Sequence, residues 1–229
     1  MIIHFVRHGH PNYKDDCLTD LGKKQAEAAA ERLLGAGIEQ IYSSTRGRAF
    51  ETAEFTAARL GLSVIPAPFM CEISWKPLEG EEIIENGHPW RTSRRLAASG
   101  VSIANPDWQK TEPYTKSTVV DSTAAVARGF DDFLASHGYL REGDYYRVVG
   151  EETDRTIAIF SHGGSSAAAL SHLLNVPFPL LCGSFMIDYT SITTLSLPNE
   201  RGTLVFPRLT LLNDARHIEG ITVENVFDN

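Results

Sequence analysis

The chain opens on five β-prone residues, Ile2 to Val6, that run straight into Arg7-His8-Gly9. This opening constrains the fold most, because a short apolar run closed at once by polar turn residues reads as a buried strand. The same rhythm continues down the chain. Thr19 caps a helix over roughly 20–34, with Leu21, Ala26, Ala29, Ala30, Leu33 and Leu34 on its apolar stripe and Gly35-Ala-Gly37 as its stop. Ile38 to Ser43 is a second strand, Arg46 to Leu60 a second helix ended by Gly61, and Ser63 to Pro66 a third strand. Strand–helix–strand–helix–strand order predicts right-handed crossovers and a largely parallel sheet.

Further along, Asp121 to Ser136 regains helical periodicity through Val126, Phe130, Phe133 and Leu134. Tyr145 to Val149 and Thr156 to Phe160 are strand-like and flank a polar turn at Gly150 to Asp154; a helix is expected from Ser165 to Leu174. Ser191 to Leu197 and Thr203 to Leu212 alternate around Pro198-Asn-Glu-Arg-Gly202, a hairpin signal that makes the sheet mixed. The expected architecture is a three-layer α/β/α domain with a mixed, mainly parallel central sheet. Residues 1–229 form one domain, with a cap insertion at about 81–120 where the pattern weakens. All three tryptophans, Trp75, Trp90 and Trp108, fall in or beside that stretch, so it is expected to pack on the domain.

Charge narrows the functions available. Lys and Arg total 21 against 29 Asp and Glu, a net charge of −8. That argues against sequence-independent nucleic-acid binding and against docking on anionic membranes. An anionic small substrate must therefore meet a locally positive site. Cys17, Cys71 and Cys182 form no Cys-x-x-Cys pair, which argues against a disulfide framework or a zinc–thiolate site and suits reduced thiols in the cytoplasm. No apolar run approaches the ~18 residues of a membrane span, and Met1 to Val6 does not read as a signal peptide.

Three places combine a strand end, a turn and chemically capable side chains. Arg7-His8-Gly9 ends the first strand, Ser161-His162-Gly163-Gly164 ends the strand at Thr156 to Phe160, and Arg48 opens the helix after Ser43. Ligands of open α/β sheets bind at the carboxyl ends of the strands. Two guanidinium forks can hold phosphate oxygens bidentately. A histidine between such fixed charges stays neutral and keeps a lone pair able to attack phosphorus.

In these residues the sequence resembles the histidine phosphatase superfamily, the phosphoglycerate-mutase-like proteins. The resemblance runs through Arg7-His8-Gly9, Leu18-Thr19-x-x-Gly22-x-x-Gln25-Ala26, Ser44-x-x-x-Arg48-Ala49-x-x-Thr52-Ala53, Glu72-Ile73 with Glu79-Gly80, and Ser161-His162-Gly163-Gly164. It covers residues 1–80 and about 156–175, and hardly touches 81–155. It implies that His8 is a nucleophile that becomes phosphorylated, that Arg7, Arg48 and His162 hold the phosphoryl group, and that Glu72 protonates the leaving oxygen. It further implies phosphomonoester hydrolysis without a metal or other cofactor, on a small-molecule phosphate ester. Lys14 stands where many members carry asparagine, and Arg46 where the place is often apolar. Asn12 either substitutes in binding substrate, beside Gly163, or only shapes the Pro11-Asn12 turn. The longer acidic stretches of phosphoglycerate mutases are absent, which favours hydrolysis over mutase chemistry. Arg91, Arg94 and Arg95 beside Trp90 either recognise a second anionic group or form a solvated helix face. The oligomeric state stays open.

Two other readings compete. Gly163-Gly164-Ser165-Ser166-Ala167 nearly matches the Gly-x-Ser-x-Gly elbow, with Asp188 and His217 following in hydrolase order, but this leaves Arg7, His8 and Arg48 without a role. A sensor or scaffold that binds a phosphate ligand on the same fold would keep these residues and lack turnover.

Overall fold

The computed structural model describes residues 1–152 and 154–221. In chain order the regular elements are β1 (Ile2–Arg7), β2 (Pro11–Asn12), β3 (Cys17–Leu18), α1 (Asp20–Leu33), β4 (Gln40–Ser43), α2 (Gly47–Leu60) and β5 (Val64–Pro66). They continue as α3 (Pro89–Ala98), α4 (Val119–Ser136), β6 (Tyr139–Glu142), β7 (Tyr145–Val148), β8 (Thr156–Ser161), α5 (Gly163–Leu174), α6 (Phe178–Ser184), β9 (Ile192–Ser196), β10 (Leu204–Val205) and β11 (Arg208–Asp214).

The main sheet has six strands in the order β11-β9-β1-β8-β4-β5. β1, β8, β4 and β5 are mutually parallel, and β9 pairs antiparallel with both β1 and β11. The mixed, mainly parallel sheet is thus as expected. Side chains on a strand alternate between faces, and the two faces hold two separate cores. Ile3 and Phe5 of β1 and Ile157 and Ile159 of β8 pack with Phe130, Phe133, Leu134, Ala167 and Leu170 of α4 and α5. Val6, Ala158, Phe160 and Ile41 point the other way, onto Leu33 of α1 and Ala53 and Ala57 of α2. Helices on both faces of one sheet make three layers. Each large apolar side chain fully buried there, such as Phe5 or Phe160, contributes roughly 2–3 kcal/mol.

Helix α1 starts as its sequence predicts: the Thr19 hydroxyl accepts the Gly22 N–H at 3.1 Å, a cap that contributes about 1 kcal/mol. Gly22 also lies against the chain after β1. A Cβ on it would stand 2.2 Å from the His10 carbonyl oxygen, so only glycine allows α1 to approach the Arg7-His8-Gly9 turn this closely.

The expected hairpin after β9 is corrected. Its second arm is not one strand but two: β10 pairs with β7 in a small sheet of order β10-β7-β6, and β11 pairs with β9 in the main sheet. Pro207 stands at the break, and a residue without an N–H cannot carry a ladder through. The polar turn expected at 150–154 includes Thr153, which lies outside the described residues. β6 pairs with β7 across Gly143 and Asp144 and was not expected from the sequence; neither was α6.

Residues 81–120 hold α3 and several short 3-10 turns. Trp108 fastens them to the domain: it is buried, edge-on to Tyr114 at 5.1 Å and beside Phe178 of α6 at 5.4 Å. No helix among the described residues is long and apolar enough to cross a membrane.

Candidate active site

The site forms because the parallel strands end level with one another. Arg7 pairs with Ser161 across β1 and β8, and Ser43 pairs with Phe160 across β4 and β8. The residues immediately after them, His8, His162 and Ser44, therefore emerge together at one edge of the sheet. Arg48 lies in the first turn of α2, against the preference of a helix start for negative charge. Such a locally unfavourable placement is characteristic of functional positions.

His8 is buried, and its Nδ1 donates to the Gly9 carbonyl at 2.7 Å. That bond assigns the proton to Nδ1 and the lone pair to Nε2. The lone pair faces the Arg48 Nε–H at 3.3 Å. His162 lies with its ring centroid 5.1 Å from that of His8. Its Nε2 meets the Ser44 hydroxyl at 2.8 Å, and its Nδ1 has no hydrogen-bond partner among the described residues. Burial, then Arg7 and His162, hold His8 well below the usual histidine range; burial, then Arg48 and Arg7, do the same to His162. Both imidazoles are thus neutral at pH 7.

The guanidinium groups are fixed from behind. Arg7 Nη1 donates to the Ile187 carbonyl at 2.6 Å, and its fork lies 4.1 Å over the Tyr189 ring. Arg48 is ion-paired with Asp16, whose other carboxylate oxygen accepts the Gly47 N–H at 3.0 Å. The β2–β3 hairpin is thereby tied to the start of α2.

Glu72 accepts three backbone N–H groups: its own neighbour Ile73 at 3.0 Å, and Gly164 and Ser165 in the first turn of α5 at 3.3 and 2.9 Å. Burial nevertheless pushes its carboxyl above the usual glutamate range, against the pull of those bonds and of Arg7. Gly164 makes the contact possible, since a Cβ there would stand 2.5 Å from Glu72 Oε1.

Arg7, Arg48, Glu72 and Gly163 all line one cavity of about 200 Å³. His8 and His162 are buried and not in the lining, and join the group through the Arg48 Nε–His8 Nε2 bond and the 5.1 Å between their rings. The five residues expected to act together are therefore together. Asn12 is not in the lining: its carboxamide accepts from the N–H groups of Lys14 and Asp15 and donates to the Asp15 carboxylate, shaping the turn. Arg91 and Arg94 line the cavity, whereas Arg95 faces Glu85 at 3.7 Å. Tyr13, Asp16, Ser44, Trp75 and Tyr189 complete the surroundings. Of these only Ser44 carried a sequence signal, standing at the end of β4 four residues before Arg48. The serine-hydrolase alternative finds no triad: Ser165 is buried in α5, Asp188 bonds Asn213, and His217 bonds Thr190. No cluster of three potential metal-ligating side chains occurs among the described residues.

Comparison with known proteins agrees with this geometry. Residues 3–210 match the model of the histidine phosphatase superfamily, branch 1. A probable phosphoglycerate mutase, GpmB of Yersinia pestis, is 26% identical over 148 residues, which are 59% of this chain and 69% of that protein. Among solved structures, a mycobacterial glucosyl-3-phosphoglycerate phosphatase in complex with inorganic phosphate superposes with a TM-score of 0.64 at 25% identity, covering 94% of this chain and 98% of the other. A phosphoserine phosphatase of Entamoeba histolytica shares the fold at a TM-score of 0.59 and 21% identity, over 95% and 98% of the two chains. With two arginines, two neutral histidines and a raised carboxyl gathered at the strand ends, the chain belongs to the histidine phosphatase superfamily, branch 1.

Proposed function

We propose that the protein hydrolyses phosphomonoesters through a phosphohistidine on His8, without a metal cofactor. The observation that carries this reading is the pair of bonds on one ring: Nδ1–H held by the Gly9 carbonyl, and the Nε2 lone pair facing the Arg48 guanidinium. A phosphoryl group held by Arg48 and Arg7 then sits in front of the nucleophile. Phosphoryl transfer needs mainly positioning and charge stabilisation, and guanidinium groups supply both. His162 supports the arrangement. Its Nε2 is held by the Ser44 hydroxyl at 2.8 Å, and its ring stands 5.1 Å from that of His8, beside the proposed phosphoryl seat.

In the first step the His8 Nε2–phosphorus bond forms as the bond from phosphorus to the ester oxygen breaks, and protonated Glu72 gives its proton to that oxygen. In the second step water attacks phosphorus, the N–P bond breaks, and the Glu72 carboxylate takes the water proton. Both steps fit a carboxyl whose proton affinity burial has raised. Residues 81–120 act as the cap of this single domain, with Trp90, Arg91 and Arg94 on its inner side. The likeness to a probable phosphoglycerate mutase supports a second reading, in which the phosphoryl group returns to the substrate at another hydroxyl.

The test is a panel of phosphorylated metabolites assayed in EDTA with wild-type protein and His8→Ala. Hydrolysis by the wild type, acid-labile phosphate trapped on it, and neither in the variant are the expected results. Isomerised phosphoglycerate in place of free phosphate would select the mutase reading. Ligand binding with no turnover of any ester would select a sensor.

A further inference from the structure

The alcohol side of the substrate can be read from the cavity wall. Helix α3 turns Thr92 and Ser93 into the protein, and Ser93 donates to the Pro89 carbonyl at 2.9 Å. Trp90 and Arg94, one turn apart, then share the flank that faces the cavity. Trp90 continues a row of rings: its centroid is 5.7 Å from His88, which is 5.2 Å from Trp75. All three line the cavity, with Met186 and Ile187 as further apolar surface.

The three arginines of α3 are not equivalent. Glu85 lies 3.9 Å from Arg91 and 3.7 Å from Arg95, so one carboxylate already serves those two cations. Arg94 is exposed, lines the cavity and makes no ion pair among the described residues. A ring-lined wall ending in an unneutralised guanidinium is complementary to a molecule with a flat or apolar body and a negative end.

We infer that Arg94 is a specificity-determining residue, and that the preferred substrates are phosphomonoesters whose alcohol part carries a ring against Trp75 and Trp90 and a second anionic group at Arg94. This rests on the phosphatase reading for the place of the phosphoryl group. Arg94 does not touch the reacting atoms, so it acts on substrate affinity and not on the chemical step.

The test reads binding apart from turnover. Methylphosphonate, phenylphosphonate and phenylphosphonates with a meta or para carboxylate are titrated calorimetrically into wild type, Arg94→Gln and Arg94→Lys. The wild type is expected to bind phenylphosphonate more tightly than methylphosphonate, and a carboxylated member about fivefold more tightly again, as suits an exposed charge pair. Arg94→Gln should bring the carboxylate preference close to one, Arg94→Lys should retain most of it, and raised ionic strength should shrink it. A merely structural role for Arg94 would lower all affinities alike and leave the ratio unmoved. Equal affinity for the carboxylated and plain members, or a preference that survives in Arg94→Gln, overturns the inference, as does failure of every phosphonate to bind. Selective binding with no turnover of any phosphomonoester in the panel would overturn the phosphatase reading and leave Arg94 as the residue that selects a bound phosphate ligand.

Discussion

Gly164→Ala separates the placing of Glu72 from its chemistry. The new methyl would stand 2.5 Å from Glu72 Oε1 and 2.7 Å from Ile73 Cγ1. An ordinary contact begins near 3.4 Å, so the carboxyl must retreat by about 0.9 Å. Alanine in α5 gains about 0.5–1 kcal/mol of helix propensity, while overpacking costs about 1–3 kcal/mol. The variant should therefore fold, with a melting temperature lower by a few degrees. A misplacement near 1 Å costs on the order of 100-fold in rate, within the ~10²–10⁴ of general acid catalysis. That loss should fall on kcat/KM for alkyl phosphates, which reports only the first step, where their leaving oxygen needs a proton. For 4-nitrophenyl phosphate, whose leaving group departs as a stable anion, it should be small. Glu72→Gln should show the same split, and adding Gly164→Ala to it should cost little more, because both act on one group. Equal losses of kcat/KM on both ester classes, or losses that multiply in the double variant, would refute the assignment of Glu72 as the acid.

Charge sets two further outcomes. For kcat/KM on alkyl esters, Glu72 must be protonated and His8 neutral; burial raises the first and lowers the second from 6.5. Activity should therefore persist well below pH 6.5 and decline as pH rises through the raised Glu72 value, and Glu72→Gln should abolish that alkaline decline in a pH–rate profile. Asp214, buried between Arg216 at 2.7 Å and Arg32 of α1 at 2.8 Å, is held below the usual carboxylate value of 3.8. Its stabilisation is present above the unfolded value and lost as pH falls through the folded one. Asp214→Asn should accordingly lower the melting temperature by a few degrees at pH 7 and make little difference at strongly acidic pH, read by thermal denaturation.

What the sequence discloses is what depends on local order. β1, β4 and β8 are apolar runs closed by Arg7-His8-Gly9, Ser43-Ser44 and Ser161-His162, so both the strands and the convergence of their ends are legible. Contacts set by distant packing are not. Asp16 reaches Arg48 only because a hairpin folds over α2, and Tyr189 lies under Arg7 only because its loop leads into β9, the neighbour of β1. Arg94 and Arg95 are adjacent in a polar run, yet one faces the cavity and the other Glu85. The burial of Thr92 and Ser93 decides between them, and no periodicity of apolar residues announces it. The split of the arm after β9 is a weaker case of the same kind, because Pro207 marks a break without naming the partner of either half.

The partners of the charged groups explain how a chain of net charge −8 keeps a seat for an anion. Arg7 is oriented by the Ile187 carbonyl and the Tyr189 ring, which fix a guanidinium without cancelling its charge. Arg48 has the Asp16 carboxylate behind it, yet still presents an N–H to His8. Glu72, bonded to the first turn of α5, is biased by burial toward its neutral form, so it subtracts less negative charge than its position suggests. The imidazoles remain neutral because burial, and after it those same guanidinium groups, opposes a further positive charge. A doubly charged phosphoryl group entering here meets two fixed cations, and its own field then favours the protonated Glu72 that the first step needs. The acidic surplus over the whole chain opposes a polyanion, whereas the small phosphate ester proposed as substrate would meet the local charge of Arg7 and Arg48 at the cavity.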